Sequence, residues 1–164
     1  DQGFKQIAFV TLDSDQTQMN ERLNGYVSAM RDLKMPEYIL KIPFKLDTKK
    51  VADQFAAFFA DNKQIDAVLF ATNYLAIKGF ETLRNLKIRI GKDIAVIAFD
   101  DHEFFKVFNP PITAVAQPMK DLSDYLISIL LKKLHAETEA DLQTPNQIVL
   151  PTNLIIRESS LRKI

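Results

Sequence analysis

Short, nearly uninterrupted apolar runs alternate along the chain with longer segments of mixed polarity. Uninterrupted runs are typical of strands that are covered on both faces, as in a parallel sheet. Consecutive runs recur at about 30 residues, which is the length of a strand–helix–strand unit. The pattern therefore predicts five buried strands, at Ile7–Leu12, Tyr38–Ile42, Ala67–Ala71, Ile94–Phe99 and Thr113–Ala116.

The segments between these runs carry apolar residues at helical spacing, three or four positions apart. In the second segment Asp47 or Thr48 is a candidate helix cap, because short oxygen-bearing side chains accept from the first free amides. The pattern predicts three helices. The first is at Gln16–Leu33 and the third at Tyr74–Leu86. The second begins at about Thr48, and its inner face carries Val51, Phe55, Phe58 and Phe59.

The last third of the chain has a different pattern. Pro118 fits the first turn of a helix, and the apolar stripe that follows is broad and runs to Leu134. A polar surface loop is predicted at His135–Gln147, followed by short β segments at Ile148–Leu150 and Leu154–Arg157.

Alternating strands and helices predict an α/β fold. Right-handed crossovers between parallel strands place helices on both sides of the sheet. The expected architecture is a doubly wound, mostly parallel sheet in three layers, helix–sheet–helix. A length of 164 residues corresponds to about one such domain.

Composition removes several classes of protein. Lys plus Arg and Asp plus Glu are both 21, and this balance argues against a domain that holds nucleic acid by bulk charge. The absence of Cys excludes a disulfide framework, a thiolate metal site and a cysteine nucleophile. The first residues, DQGFKQ, include neither an initiator Met nor signal-peptide features, so we expect a piece of a longer polypeptide.

Polar side chains follow the carboxyl ends of the predicted strands, where open parallel sheets bind ligands. Arg22 lies in the first turns of the first helix and can reach the same edge. An arginine, carboxylates, amides and an aromatic plate suit a small polyhydroxylated ligand. The strand-end groups are Asp13 and Ser14, Phe44, Thr72 and Asn73, Asp100 and Asp101, and Gln117.

Each of these residues also has an ordinary structural interpretation as a cap or turn former. Asp101 in particular resembles a helix cap or turn former before His102. A run of acidic residues and His at 100–103 is a poor metal site, because sequence neighbours seldom face one ion. No nucleophile with its base, no phosphate loop and no dinucleotide fingerprint is present, so we expect no enzyme, no cofactor and no metal.

Several runs resemble the lactose-repressor/galactose-repressor (LacI/GalR) family of transcription regulators. They are ERLNGYVSAM, DAVLFATNYLAIKGFETL, IRIGKDIAVIAFDDHEF, NPPITAVAQPMKDL and LPTNLIIRESS, in that order and over nearly the whole chain. The resemblance implies the effector domain of that family, which has the type I periplasmic-binding-protein fold of two lobes around a ligand cleft.

The resemblance also implies how the chain divides. Residues 1–117 would form the second, carboxyl-terminal lobe, and residues 148–164 would return to it as closing strands. Residues 118–147 would be a crossover helix and loop that pack on the first lobe, and most of that lobe and the DNA-binding domain would lie outside this chain. In an isolated chain we expect this helix to bury itself against a second copy or to be displaced.

The family's functional positions carry over by residue. Gly25 would sit at a close helix–strand contact, where a side chain would force the helix outward. The implied ligand contacts are Arg22, Thr72, Asn73, Asp100 and Gln117, with Phe44 as a stacking plate. The implied dimer contacts are Ile77, Phe104, Phe105 and Phe108. Core filling is the alternative for the three Phe residues, but so many in one short loop exceed what it can bury, which favours an interface.

The resemblance therefore implies a cytoplasmic sensor of a sugar or sugar derivative within a dimeric transcription regulator. Operator DNA would be bound only by an amino-terminal domain that is not in this chain, and no membrane contact is expected. The alternative is the solute-binding receptor of a sugar ABC transporter, which shares the fold and the strand-end chemistry.

Overall fold

A computed structural model describes residues 2–45, 47–135 and 148–162. The five predicted buried strands and the predicted helices are present, with boundaries that differ by one or two residues. The elements are β1 Ile7–Asp13, α1 Thr17–Asp32, β2 Tyr38–Pro43, α2 Thr48–Asp61, β3 Ala67–Phe70, α3 Asn73–Asn85, β4 Ala95–Phe99, α4 Glu103–Val107, β5 Thr113–Ala116, α5 Met119–Leu134, β6 Asn153–Ile155 and a 3-10 turn at Glu158–Ser160.

The strands form one sheet in the order β2-β1-β3-β4-β5-β6. The pairs β1–β2, β1–β3, β3–β4 and β4–β5 are all parallel. The order reverses at β1, which neighbours both β2 and β3. The α/β, doubly wound and mostly parallel architecture is therefore confirmed.

Alternate residues of each strand face helices on opposite sides of the sheet. Phe9 of β1 stacks on Tyr26 of α1, with ring centroids 5.1 Å apart. On the other side Phe70 of β3 meets Phe55 of α2 at 6.0 Å and Phe80 of α3 at 5.9 Å. These contacts establish the three layers and place an aromatic core under α2 and α3.

Local chemistry sets several helix ends. The Asp47 carboxylate accepts from the amide of Lys50 and so caps α2, as the sequence predicted. Helices α1 and α3 both end in a Leu-Lys pair whose lysine, Lys34 or Lys87, has positive φ (54° and 60°). The amides that follow bond back five residues, as in the Schellman motif that normally uses glycine.

Gly25 does not have its expected role. It lies on the exposed side of α1, and a Cβ built there would meet nothing within 4 Å. Gly79 of α3 is the helical glycine in close contact, since a Cβ there would overlap the ring of Phe70. The sequence prediction was wrong because helical spacing does not show which side of α1 meets the sheet.

The chain divides into two compact units, residues 1–115 with 154–164, and residues 116–153. The second unit contains α5, none of whose residues is buried, although its stripe is as apolar as predicted. Residues 148–150 form no strand, and the last predicted strand is shortened to β6. The loop predicted at His135–Gln147 lies, apart from His135, outside the described residues.

Candidate functional site

Arg22 joins the carboxyl ends of two neighbouring strands in the first unit. Its Nη1 donates to the carbonyl oxygen of Ala71, just after β3, at 2.7 Å. The same nitrogen lies 3.9 Å from Oδ2 of Asp100, just after β4. Its Cζ stands 3.6 Å from the ring centroid of Phe99, in a cation–π arrangement. A helix residue is thus held at the edge that the sequence selected.

The electrostatics of Arg22 follow from this position. Partial burial lowers the pKa of the guanidinium, and the nearby Asp100 carboxylate opposes that shift. Arginine nevertheless keeps its charge at any physiological pH. Its planar group has five N–H donors, which suits it to bind paired oxygen atoms of a ligand beside the Ala71 carbonyl.

Thr72 and Asn73 lie at the start of α3, directly above β3. The Thr72 hydroxyl accepts from the amide of Leu75 at 3.3 Å and caps the helix, and the side chain is almost fully buried. The ordinary structural interpretation therefore holds for its oxygen, while its hydrogen can still be donated. Asn73 is half-buried at the first helical position.

The two carboxylates after β4 have different surroundings. Asp100 has a φ of 69°, a left-handed conformation, and its amide donates to the carbonyl of Val115 at 3.0 Å. The sequence suggested that Asp101 is a helix cap or turn former, but it does not cap α4. Its carboxylate forms a bidentate pair with Arg157. His102 caps α4 instead, with Nδ1 accepting from the amide of Phe104 at 3.1 Å.

Phe44 and Gln117 complete the set predicted for the site. Phe44 directly follows β2 and is 67% exposed, as a stacking plate requires. Gln117 directly follows β5 and belongs to the second unit. Thr72, Asn73 and Asp100 thus lie at the ends of the adjacent strands β3 and β4, and the side chain of Arg22 reaches this edge from α1.

Residues predicted for dimer contacts border an apolar cavity of about 630 Å³ beside α3. Ile77 and Phe104 are exposed, and Phe108 is half-buried against Phe80. Phe105 is different: it is 0% exposed and packs against Phe80 in the core, with centroids 5.8 Å apart. The prediction for Phe105 was wrong, because the short helix α4 turns this side chain toward the sheet.

Sequence reasoning missed two residues, Phe99 and Arg157. The ring of Phe99 packs against the guanidinium of Arg22. Phe99 was assigned only to a buried strand, and Arg157 only to the closing segment. A cation that ends the apolar run Leu154–Ile156 was the available signal, because a charge there needs a partner. Nothing in the sequence showed that this partner is Asp101.

Neither a metal site nor a membrane-spanning helix is found in the part of the chain that the structure describes. No three His, Asp or Glu side chains of residues 2–45, 47–135 and 148–162 cluster as a metal site would require. No helix within these ranges has both the length and the apolar character to cross a membrane.

Comparison with known proteins gives one consistent result. The profile of the periplasmic binding protein-like domain family matches residues 1–160. A probable opine utilization operon repressor of Rhizobium rhizogenes is 31% identical over 86% of this chain and 70% of its own length. The transcriptional regulator RegA of Clostridium saccharobutylicum is 31% identical over 97% of this chain but 47% of its own length.

More distant relatives and solved structures agree. The ribose operon repressor of Escherichia coli is 28% identical over 84% of this chain and 42% of its own length. A dimeric lac repressor with a carboxyl-terminal deletion superposes with a TM-score of 0.80 at 21% identity, over 98% of this chain and 57% of that one. A LacI family regulator of Bifidobacterium animalis gives a TM-score of 0.82 at 18% identity, with 99% and 57% covered.

This chain thus spans about half the length of most of these relatives, which are repressors and regulators. At such identities the solved structures establish the fold, while the sequence profile and the closer relatives establish descent. The chain belongs to the periplasmic binding protein-like domain family and, within it, to the effector domains of LacI/GalR regulators.

Proposed function

We propose that this chain is the effector-sensing part of a transcription regulator and that it binds a sugar or sugar derivative. The observation that carries the proposal is the position of Arg22, whose guanidinium bridges the ends of β3 and β4 beside Asp100. The regulators among its relatives favour this function over that of a transport receptor.

The chemistry of this edge suits a neutral, hydroxyl-rich ligand. Arg22 supplies donors and Asp100 supplies acceptors, so vicinal hydroxyls of one ring can bond to both. Phe44 offers an exposed aromatic face for the C–H side of a sugar. Thr72 and Asn73 add neutral polar groups, and no added charge from the ligand is needed to balance the site.

The second unit has a role in the same proposal. The apolar stripe of α5 includes Met119, Leu126 and Leu134, each at least 59% exposed. Contiguous apolar surface of this kind marks a contact that the monomer lacks. We propose that residues 118–147 pack on a first lobe encoded outside this chain, and that residues 148–164 close the second lobe.

Assembly and DNA response complete the scheme. Ile77, Phe104 and Phe108 border the apolar cavity beside α3, which a second copy would cover in a homodimer. Ligand binding between the lobes would then change the spacing of the DNA-binding domains, and ligand and operator would influence each other equally by linkage. This scheme places the protein in the cytoplasm, where its DNA is.

The proposal is tested by titrating this chain with D-ribose, D-galactose and lactose while recording its backbone amide resonances. Binding should shift the amide resonances of residues near Arg22, Thr72 and Asp100. Asp100→Asn should weaken binding, whereas Asp53→Asn, at an exposed position of α2, should not. Sugar-induced shifts confined to other surfaces would contradict the proposal.

A further inference from the structure

Arg157 makes a dense set of polar contacts that the proposed function does not use. Its Nη1 and Nη2 donate to Oδ1 and Oδ2 of Asp101, both at 2.8 Å. Nη1 also donates to the carbonyl oxygen of Ile112 at 2.6 Å. The two side chains of the pair are only 13% and 14% exposed. A bidentate arginine–carboxylate pair fixes the orientation of both partners as well as their distance.

The main chain of Arg157 is held as firmly as its side chain. Its amide donates to Oγ1 of Thr113 at 2.8 Å, and the same hydroxyl donates to the Arg157 carbonyl oxygen at 2.9 Å. Ser159, fully buried, donates from Oγ to the Val96 carbonyl at 2.6 Å and accepts from the Thr113 amide at 2.8 Å. The guanidinium therefore extends from a segment whose main chain is anchored to β5 and, through Ser159, to β4.

The residue next to this pair is Asp100. Its left-handed conformation is disfavoured for a residue with a Cβ, so its surroundings must hold it. The bond from its amide to Val115 holds one side. On its other side the chain continues into Asp101, whose carboxylate is paired with Arg157. The hydrogen bonds from Arg157 lower the pKa of Asp101, which keeps this carboxylate ionised.

We propose that Arg157 is a positioning residue of the effector site, since its bidentate contact with Asp101 fixes the turn that presents the Asp100 carboxylate to a polyhydroxylated ligand. The inference rests on the proposed function and adds to it a residue that does not itself touch the ligand. Arg157 also lies on the segment by which the chain re-enters the first unit at Leu154. A change in that segment would therefore alter how Asp100 is presented.

The test compares two arginine–aspartate pairs of the same chemistry. Arg157→Lys keeps the charge but loses the planar fork. Arg89→Lys is the matched control, because Arg89 holds Asp93 in a bidentate pair, at 2.7 and 2.6 Å, on an exposed turn before β4. Asp101→Asn is the second variant at the site. Backbone amide resonances are recorded for each chain, first without ligand and then during titration with D-ribose.

Arg157→Lys should shift the amide resonances of Asp100 and Asp101 before any sugar is added. It should also weaken D-ribose binding by about tenfold, the lower end of what loss of a supporting hydrogen-bond partner costs at metal sites. Arg89→Lys should change neither quantity, and Asp101→Asn should reproduce the loss even if Arg157→Lys does not fold. A purely structural role would lower stability without changing the affinity of the folded chain.

Failure of the positioning role and failure of the proposed function give different results. If the unaltered chain binds D-ribose and the folded Arg157→Lys chain binds it equally well, the positioning role is overturned. If the unaltered chain binds none of the three sugars, the proposed function fails. The amide of Asp100 in the unliganded variants then still decides whether Arg157 sets the turn, and an unshifted resonance overturns it.

Discussion

Helices α3 and α5 have similar amphipathic sequences and opposite surroundings. Six residues of the 13-residue α3 are buried, and none of the 16-residue α5 is. Helix α3 packs its stripe on Phe70 and on α2, whereas the stripe of α5, with Leu126 at 59% exposure, meets solvent. An apolar stripe thus specifies that a helix needs a partner, but not whether that partner is in the same chain.

The largest expected difference in stability is between truncating a buried apolar side chain and truncating an exposed one. Phe70→Ala should destabilise the fold by about 3–5 kcal/mol, because it removes the ring that α2 and α3 share. Leu126→Ala in α5 should change stability by no more than about 0.5 kcal/mol. Urea unfolding of both variants measures this, and equal losses would mean that α5 is covered in solution.

The two helical glycines give a second contrast. Gly79→Ala should cost about 1–3 kcal/mol, because the new Cβ overlaps the Phe70 ring. Gly25→Ala should stabilise by about 0.5–1 kcal/mol, since its Cβ meets open space and alanine favours the helix. Thermal unfolding of the two single variants gives the signs, and a loss at Gly25 would restore the close contact that the sequence suggested.

At the helix ends the expected effect is smaller and concerns the backbone alone. Lys34→Gly or Lys87→Gly should stabilise by up to about 1 kcal/mol, because both lysines have positive φ, where glycine carries no Cβ penalty. Lys63→Gly, in the loop after α2, serves as a control. No gain at either lysine would show that its side chain contributes contacts of its own.

The smallest expected effect is a difference in the pH dependence of stability between the buried ion pair of Asp101 and the exposed ion pair of Asp93. The folded chain lowers the pKa of Asp101, so the pair stabilises the fold above the unfolded pKa of about 4, and this contribution is lost as pH falls through the folded value. Asp101→Asn should therefore flatten the fall in melting temperature as the pH drops below about 4.

The exposed pair is the matched control for that experiment. Arg89 holds the pKa of Asp93 at about 2, but this pair is exposed, and solvent weakens its contribution to stability. Asp93→Asn should leave the melting temperature nearly unchanged at pH 7. An equal response of both variants would show that burial at Asp101 adds nothing to the pair.

Much of the fold was readable because a parallel sheet leaves a simple pattern. Strands covered on both faces are continuous apolar runs, and β1 and β4 appeared within a residue or two of their predicted ends. Arg22 and Asp100 were identified because strand ends share one edge. Phe105 and Gly25 were misplaced, since spacing reveals that a residue is apolar or small but not which way its helix is turned.

The sequence by itself determined the order of strands and helices, the polar edge with Arg22 and Asp100, and the family. Only the tertiary structure decided that Asp101 pairs with Arg157, 56 residues away. It also decided that Gly79 and not Gly25 makes the close contact, with the ring of Phe70. The physical reason is that patterning acts through neighbours three or four residues apart. A buried ion pair or a ring against a glycine depends on segments that meet only after the chain has folded.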